Sequence, residues 1–275
     1  MSDNHTLLQE VSRLHKIMQD LRDPKTGCPW DVEQTFETIA PYTIEEAYEV
    51  SEAIATGKRP KIADELGDLL LQVVFHAQIA SEEGSFDLAD VARGISDKMI
   101  RRHPHVFGDE ARISASEQKV AWEDIKAAER AAAQDDTLRA SGRASVLDDV
   151  AVTLPAIVRA AKLQKRAARV GFDWPDITAV IAKMHEETGE LLEALEEEPD
   201  NMARVQDEVG DILFVASNIA RKVGVEPESA LLACNRKFEK RFHYIEEALA
   251  KDGRTVDEAS LDEMEQLWQD AKTNG

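Results

Sequence analysis

Two stretches of this 275-residue chain gather carboxylates at helical spacing. The first reads EEAYEVSEAI and then DELGDLL; the second reads EETGELLEAL and then DEVGDIL. Glu45, Glu46, Glu49 and Glu52 recur as Glu186, Glu187, Glu190 and Glu193, a step of 141. Asp64, Glu65, Gly67 and Asp68 recur as Asp207, Glu208, Gly210 and Asp211, a step of 143. Each copy is E-E-x-x-E followed by E-x-x-D, with 15 intervening residues (50–64) in the first and 17 (191–207) in the second. Residues three or four apart share a helix face, so Glu46 points with Glu49, and Glu65 with Asp68. Two such helices on a short connection pack antiparallel and bring the pairs together.

Carboxylates crowded in this way repel and raise one another's pKa values. A hard divalent cation relieves the repulsion. Mg²⁺ favours oxygen ligands, retains waters and is shared with substrate phosphates. The spacing makes both sets candidates to hold such an ion: Glu46, Glu49, Glu65 and Asp68 in the first copy, and Glu187, Glu190, Glu208 and Asp211 in the second. Mn²⁺ is the natural substitute. Apolar neighbours such as Leu66, Leu69, Val209 and Ile212 set these acids at the border of a core, where a charge needs a partner. Gly67 and Gly210, poor helix residues, suggest close approach of another backbone or a ligand. A di-iron bundle expects Glu-x-x-His, and a Walker site expects Gly-Lys-Ser/Thr; the chain offers neither beside the acids.

Cations stand nearby in a chain of net charge -21. Lys237 and Arg241, one turn apart in NRKFEKRF, suit a polyphosphate tail, and Lys183 and Arg204 each lie one turn before an acid. Trp268 offers a face for a base, or caps the core. Lys98 and Arg102 are the first-half echoes of Lys237 and Arg241, and Trp122-x-Asp124-x-Lys126 echoes Trp268-x-Asp270-x-Lys272.

The elements that must position these groups are helices throughout. Apolar residues recur at three- and four-residue steps, and long alternating stretches are missing. Helices are expected near 5–21, 41–56, 60–83, 87–102, 115–133, 148–169, 175–196, 200–223, 227–251 and 260–272, several opened by a proline such as Pro41 or Pro227. The segment 131–147 is small and polar and reads as a linker between domains 1–130 and 148–275. The acidic balance argues against nucleic acid as partner. No stretch approaches a membrane span, and two cysteines with no leader segment point to the cytoplasm.

The chain resembles the bacterial MazG-type nucleoside triphosphate pyrophosphohydrolases of the all-α NTP pyrophosphatase group, in their two-domain form. The resemblance runs over CPWDVEQTFETIAPYTIEEAYEV, DKMIRRHPHVFGD, SVLDDVAVTLPAIVRAAKLQKRAARVGFDW and NRKFEKRF, beside both acid motifs. It implies all-α, tandem four-helix-type bundles, an intertwined homodimer, and Mg²⁺-dependent cleavage of an NTP to NMP and pyrophosphate. It implies Glu187, Glu190, Glu208 and Asp211 as ligands and Glu186 as auxiliary ligand or water-orienting base. Lys183, Arg204, Lys237 and Arg241 would hold phosphates, and Trp268 would face the base. The first copy departs from the pattern: Met99 stands where the second has Phe238, and its basic helix ends in His-Pro. A narrower nucleotide pyrophosphohydrolase and a non-catalytic helical scaffold are the alternatives.

Overall fold

A computed structural model of the chain describes residues 2–108, 145–148 and 150–274, with positions 114, 117, 118, 121, 122, 125, 128 and 129 between them. It divides into two compact units, Met1–Ala133 and Gln134–Gly275. Most of the expected linker and of the expected helix 115–133 lies outside the described residues. Every regular element among the described residues is helical.

The first unit contains α1 (Ser2–Leu21), α2 (Pro29–Glu33), α3 (Phe36–Thr56), α4 (Arg59–Glu82), α5 (Leu88–Arg102) and the short α6 (Pro104–Phe107). The second contains α7 (Ala156–Ala168), α8 (Ile177–Glu197), α9 (Met202–Lys222), α10 (Pro227–Lys251), a 3-10 turn at Val256–Glu258, and α11 (Leu261–Asn274). The repeat governs the helix bounds. Residues 36 and 56 become 177 and 197, a step of 141; 59 becomes 202, a step of 143; 88 becomes 227, a step of 139. Two residues, Gly57 and Lys58, join α3 to α4, whereas four, 198–201, join α8 to α9. That difference is the change of step. Gly57 makes its tight turn in the left-handed region, with φ of 70°.

Local chemistry explains where the expected bounds fail. Helix α3 begins at Phe36, not at Pro41, because Thr35 and Thr38 form a reciprocal capping box. Pro41 therefore lies inside the helix. Helix α7 begins at Ala156, not near 148, because Pro155 disfavours helical backbone at Leu154. The five-residue α2 went unexpected. At α8 and α9 the side chains of Asp176 and Asn201 accept from the backbones of Ala179 and Arg204 and fix the starts.

In the first unit α3 and α4 form the main hairpin, and α1 and α5 pack on α4. Met18, Ile39, Val74, Phe75 and Ile79 make its core, joined by Leu14, Phe36, Leu71 and Leu88. In the second unit α8 and α9 form the hairpin, α7 packs on α9, and α10 packs on α7 and α11. The α7–α9 seam includes a buried amide: Gln164 Nε2 donates to the Phe214 carbonyl at 2.8 Å and to Ser217 Oγ at 3.3 Å.

Each unit has a G-x-x-W segment leading to its hairpin, Gly27–Trp30 and Gly171–Trp174, and a charged contact ties down the chain within it or just after it. In the first unit the buried Arg22 donates to the Asp31 and Gln34 carbonyls and pairs with Glu82 at the end of α4, at 2.6 Å. In the second, Asp173 in the loop accepts from Arg221 and Lys222 at the end of α9, at 2.5 and 2.9 Å. Removing a buried cation strands its partners. Arg22→Met should cost about 2 to 3 kcal/mol in urea unfolding, below the full value for a buried pair because Glu82 is partly exposed. A loss under about 1 kcal/mol would show that the tie does not hold the first unit together.

Candidate metal centre

Both hairpins bring three carboxylates together. Oxygens of Glu187, Glu190 and Glu208 lie within 4.8 Å of one another, and so do those of Glu46, Glu49 and Glu65. The cause is the register of the helices: α8 supplies a pair three residues apart, and the short turn sets Glu208 of α9 opposite. Asp211 and Asp68 stand outside these triads but close to them. Asp211 feels the charge of Glu187, and Asp68 acts on Glu46.

Crowding marks the acids. Desolvation, then the charges of Asp68 and Glu49, raises Glu46. Desolvation and a hydrogen bond with Glu49 raise Glu65. A hydrogen bond with Glu187, followed by desolvation, raises Glu190, and desolvation raises Asp211. All-oxygen donor sets of this kind, anionic and part buried, can hold a hard divalent metal ion. A Cβ at Gly67 or Gly210 would meet nothing within 4 Å, so among the described residues no other backbone presses on either, which leaves the other expected reason for a glycine there, room for a ligand.

The basic residues take varied places. Lys183 bridges Glu186 and Glu187, at 2.7 Å to each, and its ammonium is held above the ordinary lysine range by those bonds. Arg204 turns away from Glu208 toward Glu197 and Glu198, at 3.6 and 3.2 Å. Trp268 on α11 lies under Arg241 (5.4 Å to the ring centroid) and beside Phe238 (5.2 Å between rings). Lys237 is exposed on α10. Among the described residues, no hydrogen bond, ion pair or ring contact joins this aromatic–basic group to the acids of α8 and α9.

The first copy fills the corresponding places differently. Glu129 accepts paired hydrogen bonds from Arg102 and Arg101, which hold its carboxyl down to about 2. Trp122 meets His103 edge-on. Tyr42, at the position answering Lys183, packs against Trp30. Lys61, 3.8 Å from Glu65, escaped the sequence reading, although the step of 143 that relates it to Arg204 would have found it.

Comparison with known proteins settles the family. The model of the MazG nucleotide pyrophosphohydrolase domain matches twice, at residues 34–107 and 176–245, each match spanning one acid hairpin. The chain belongs to that family. It is 47% identical to the nucleoside triphosphate pyrophosphohydrolase of Escherichia coli (strain K12), over 96% of this chain and 98% of that protein. It is 42% identical to the MazG nucleoside triphosphate pyrophosphohydrolase/pyrophosphatase of Thermotoga maritima, over 94% of each chain. No helix among the described residues is long and apolar enough to cross a membrane.

The raised acids predict how this MazG fold responds to pH without metal. A carboxyl raised on folding contributes stability below its unfolded value, about 4.3 for Glu, and loses it as pH rises through the folded value. In EDTA at neutral pH, Glu190→Gln should therefore raise the melting temperature, and the gain should shrink toward about pH 4. A gain independent of pH would mean that Glu190 is not strained by its neighbours.

Proposed function

We propose that the chain hydrolyses nucleoside triphosphates to nucleoside monophosphate and pyrophosphate with Mg²⁺, that Mn²⁺ can replace Mg²⁺, and that the base is read broadly. The observation that carries this reading is the three-carboxylate cluster, placed by a hairpin that coincides with the MazG match. A divalent ion bound there neutralises phosphate charge and acidifies water near it. Glu187, Glu190, Glu208 and Asp211 are its proposed holders, and the exposed Glu186 is suited to orient water. Lys183, Lys237 and Arg241 stabilise charge on the departing pyrophosphate, and Arg204 does so once it leaves Glu197 and Glu198. Trp268 and its neighbour Phe238 supply the faces for the base.

The second copy is the proposed working site, because its Arg241 and Trp268 stand together whereas Arg102 is consumed by Glu129. We infer a homodimer as well. Leu192, Leu195, Val209 and Leu213 on α8 and α9 are exposed beside the acids, and a second copy can bury them. A single-chain mass by sedimentation would rule the dimer out. The unpaired Cys28 and Cys234 suit a reducing, cytoplasmic setting.

One assay tests the chemistry. Incubated with a panel of NTPs and Mg²⁺, the protein should release NMP and pyrophosphate together, and EDTA should abolish turnover. NDP and orthophosphate as first products, or full activity without metal, would make it a different enzyme.

A second experiment separates the copies. Glu190→Ala or Asp211→Ala should lower turnover about 100-fold or more, as expected when a metal-holding carboxylate is lost. Glu49→Ala and Asp68→Ala should retain a substantial share, with circular dichroism confirming that each variant is folded. The reverse pattern would assign the activity to the first copy.

A further inference from the structure

One carboxylate of each cluster is nearly removed from solvent: Glu187 is 4% exposed and Glu65 is 8% exposed. In each copy that residue has a lysine four positions before it on its own helix. Lys183 Nζ lies 2.7 Å from Glu187, and Lys61 Nζ lies 3.8 Å from Glu65. Lysine ahead of glutamate is the weaker order for supporting a helix, so helix stability does not explain the pairs. Nor does the duplication. The position answering Lys183 is Tyr42, and the position answering Lys61 is Arg204, which turns to Glu197 and Glu198. The two copies bring an ammonium to their most buried acid from opposite helices of the hairpin.

A buried carboxylate among other carboxylates requires a positive partner, and an ammonium and a divalent ion compete for the same oxygens. We propose that Lys183 and Lys61 are place-holding counter-ions, each occupying the cation position of its cluster until a divalent ion displaces it. This rests on the metal-centre reading given above and deepens it. The second copy then has a use for the displaced group: Lys183, driven off Glu187, turns to the anionic tail of the nucleotide. Metal and nucleotide reinforce each other's binding, because the nucleotide takes up the ammonium that the metal expels.

The test is Mn²⁺ titration of the full-length chain without nucleotide, followed by the paramagnetic resonance of free Mn²⁺. Glu49→Gln in every chain weakens the first copy, so the second is read. Adding Lys183→Met should tighten Mn²⁺ binding by about three- to tenfold. Lys183→Arg, which keeps the charge, should stay near the starting affinity. In EDTA the Lys183→Met chain should melt below its parent, and the gap should close when Mn²⁺ saturates both. Should that chain fail to fold, Lys183→Gln takes its place with the same expectation. Mn²⁺ binding that is unchanged or weaker without the ammonium overturns this inference alone. No Mn²⁺ binding by any chain overturns the metal-centre reading and this inference with it.

Discussion

Carboxylates held within 4.8 Å of one another set the terms for each unit. Charges at that distance repel one another, and the raised carboxyls of Glu46, Glu65 and Glu190 register that repulsion together with their desolvation. The hairpin must resist that force along its length. It does so with fixed ends and a packed flank. The Thr35–Thr38 box and the Gly57 turn set α3 and α4, and Asp176 and Asn201 set the starts of α8 and α9. Behind the acids, Val74, Phe75 and Ile79 in one unit, and Val215 with the Gln164–Ser217 amide contact in the other, anchor the second helix. Lys61 and Lys183 relieve part of the repulsion directly.

The duplication preserved this constraint and altered what surrounds it. Both copies keep three converging acids, yet their basic helices have separate fates. Arg102 is engaged by Glu129 in the first, whereas Arg241 lies over Trp268 in the second. Tyr42 packed on Trp30 replaces an ammonium with an aromatic surface. Electrostatic demand fixes the acids as a set, while the groups that would meet a ligand varied independently.

How much of this could be read in the sequence depends on the range of each interaction. The acid faces follow from spacings of three and four, and the hairpins follow from repeat steps of 141 and 143, so helices and convergence were both legible. Pro41 misled because a proline normally opens a helix, and the capping threonines ahead of it carried the stronger signal. The partners of Lys183 were within reach, one turn away, but a substrate phosphate and a neighbouring carboxylate attract the same ammonium. Arg22 with Glu82 was beyond reach. Sixty residues separate them, and no local pattern couples a loop arginine to the far end of a later helix.

The two loop ties have opposite polarity. In the first unit the cation comes from the chain leading into the loop and the anion from the hairpin; in the second the loop carries the anion and the hairpin the cations. A chain with two similar hairpins risks cross-assembly, the hairpin of one repeat docking on the loop of the other while both are still forming. That exchange would set Arg22 against Arg221 and Lys222, and Asp173 against Glu82. Like charges would meet there, so reversed polarity disfavours a trade of hairpins between the two copies.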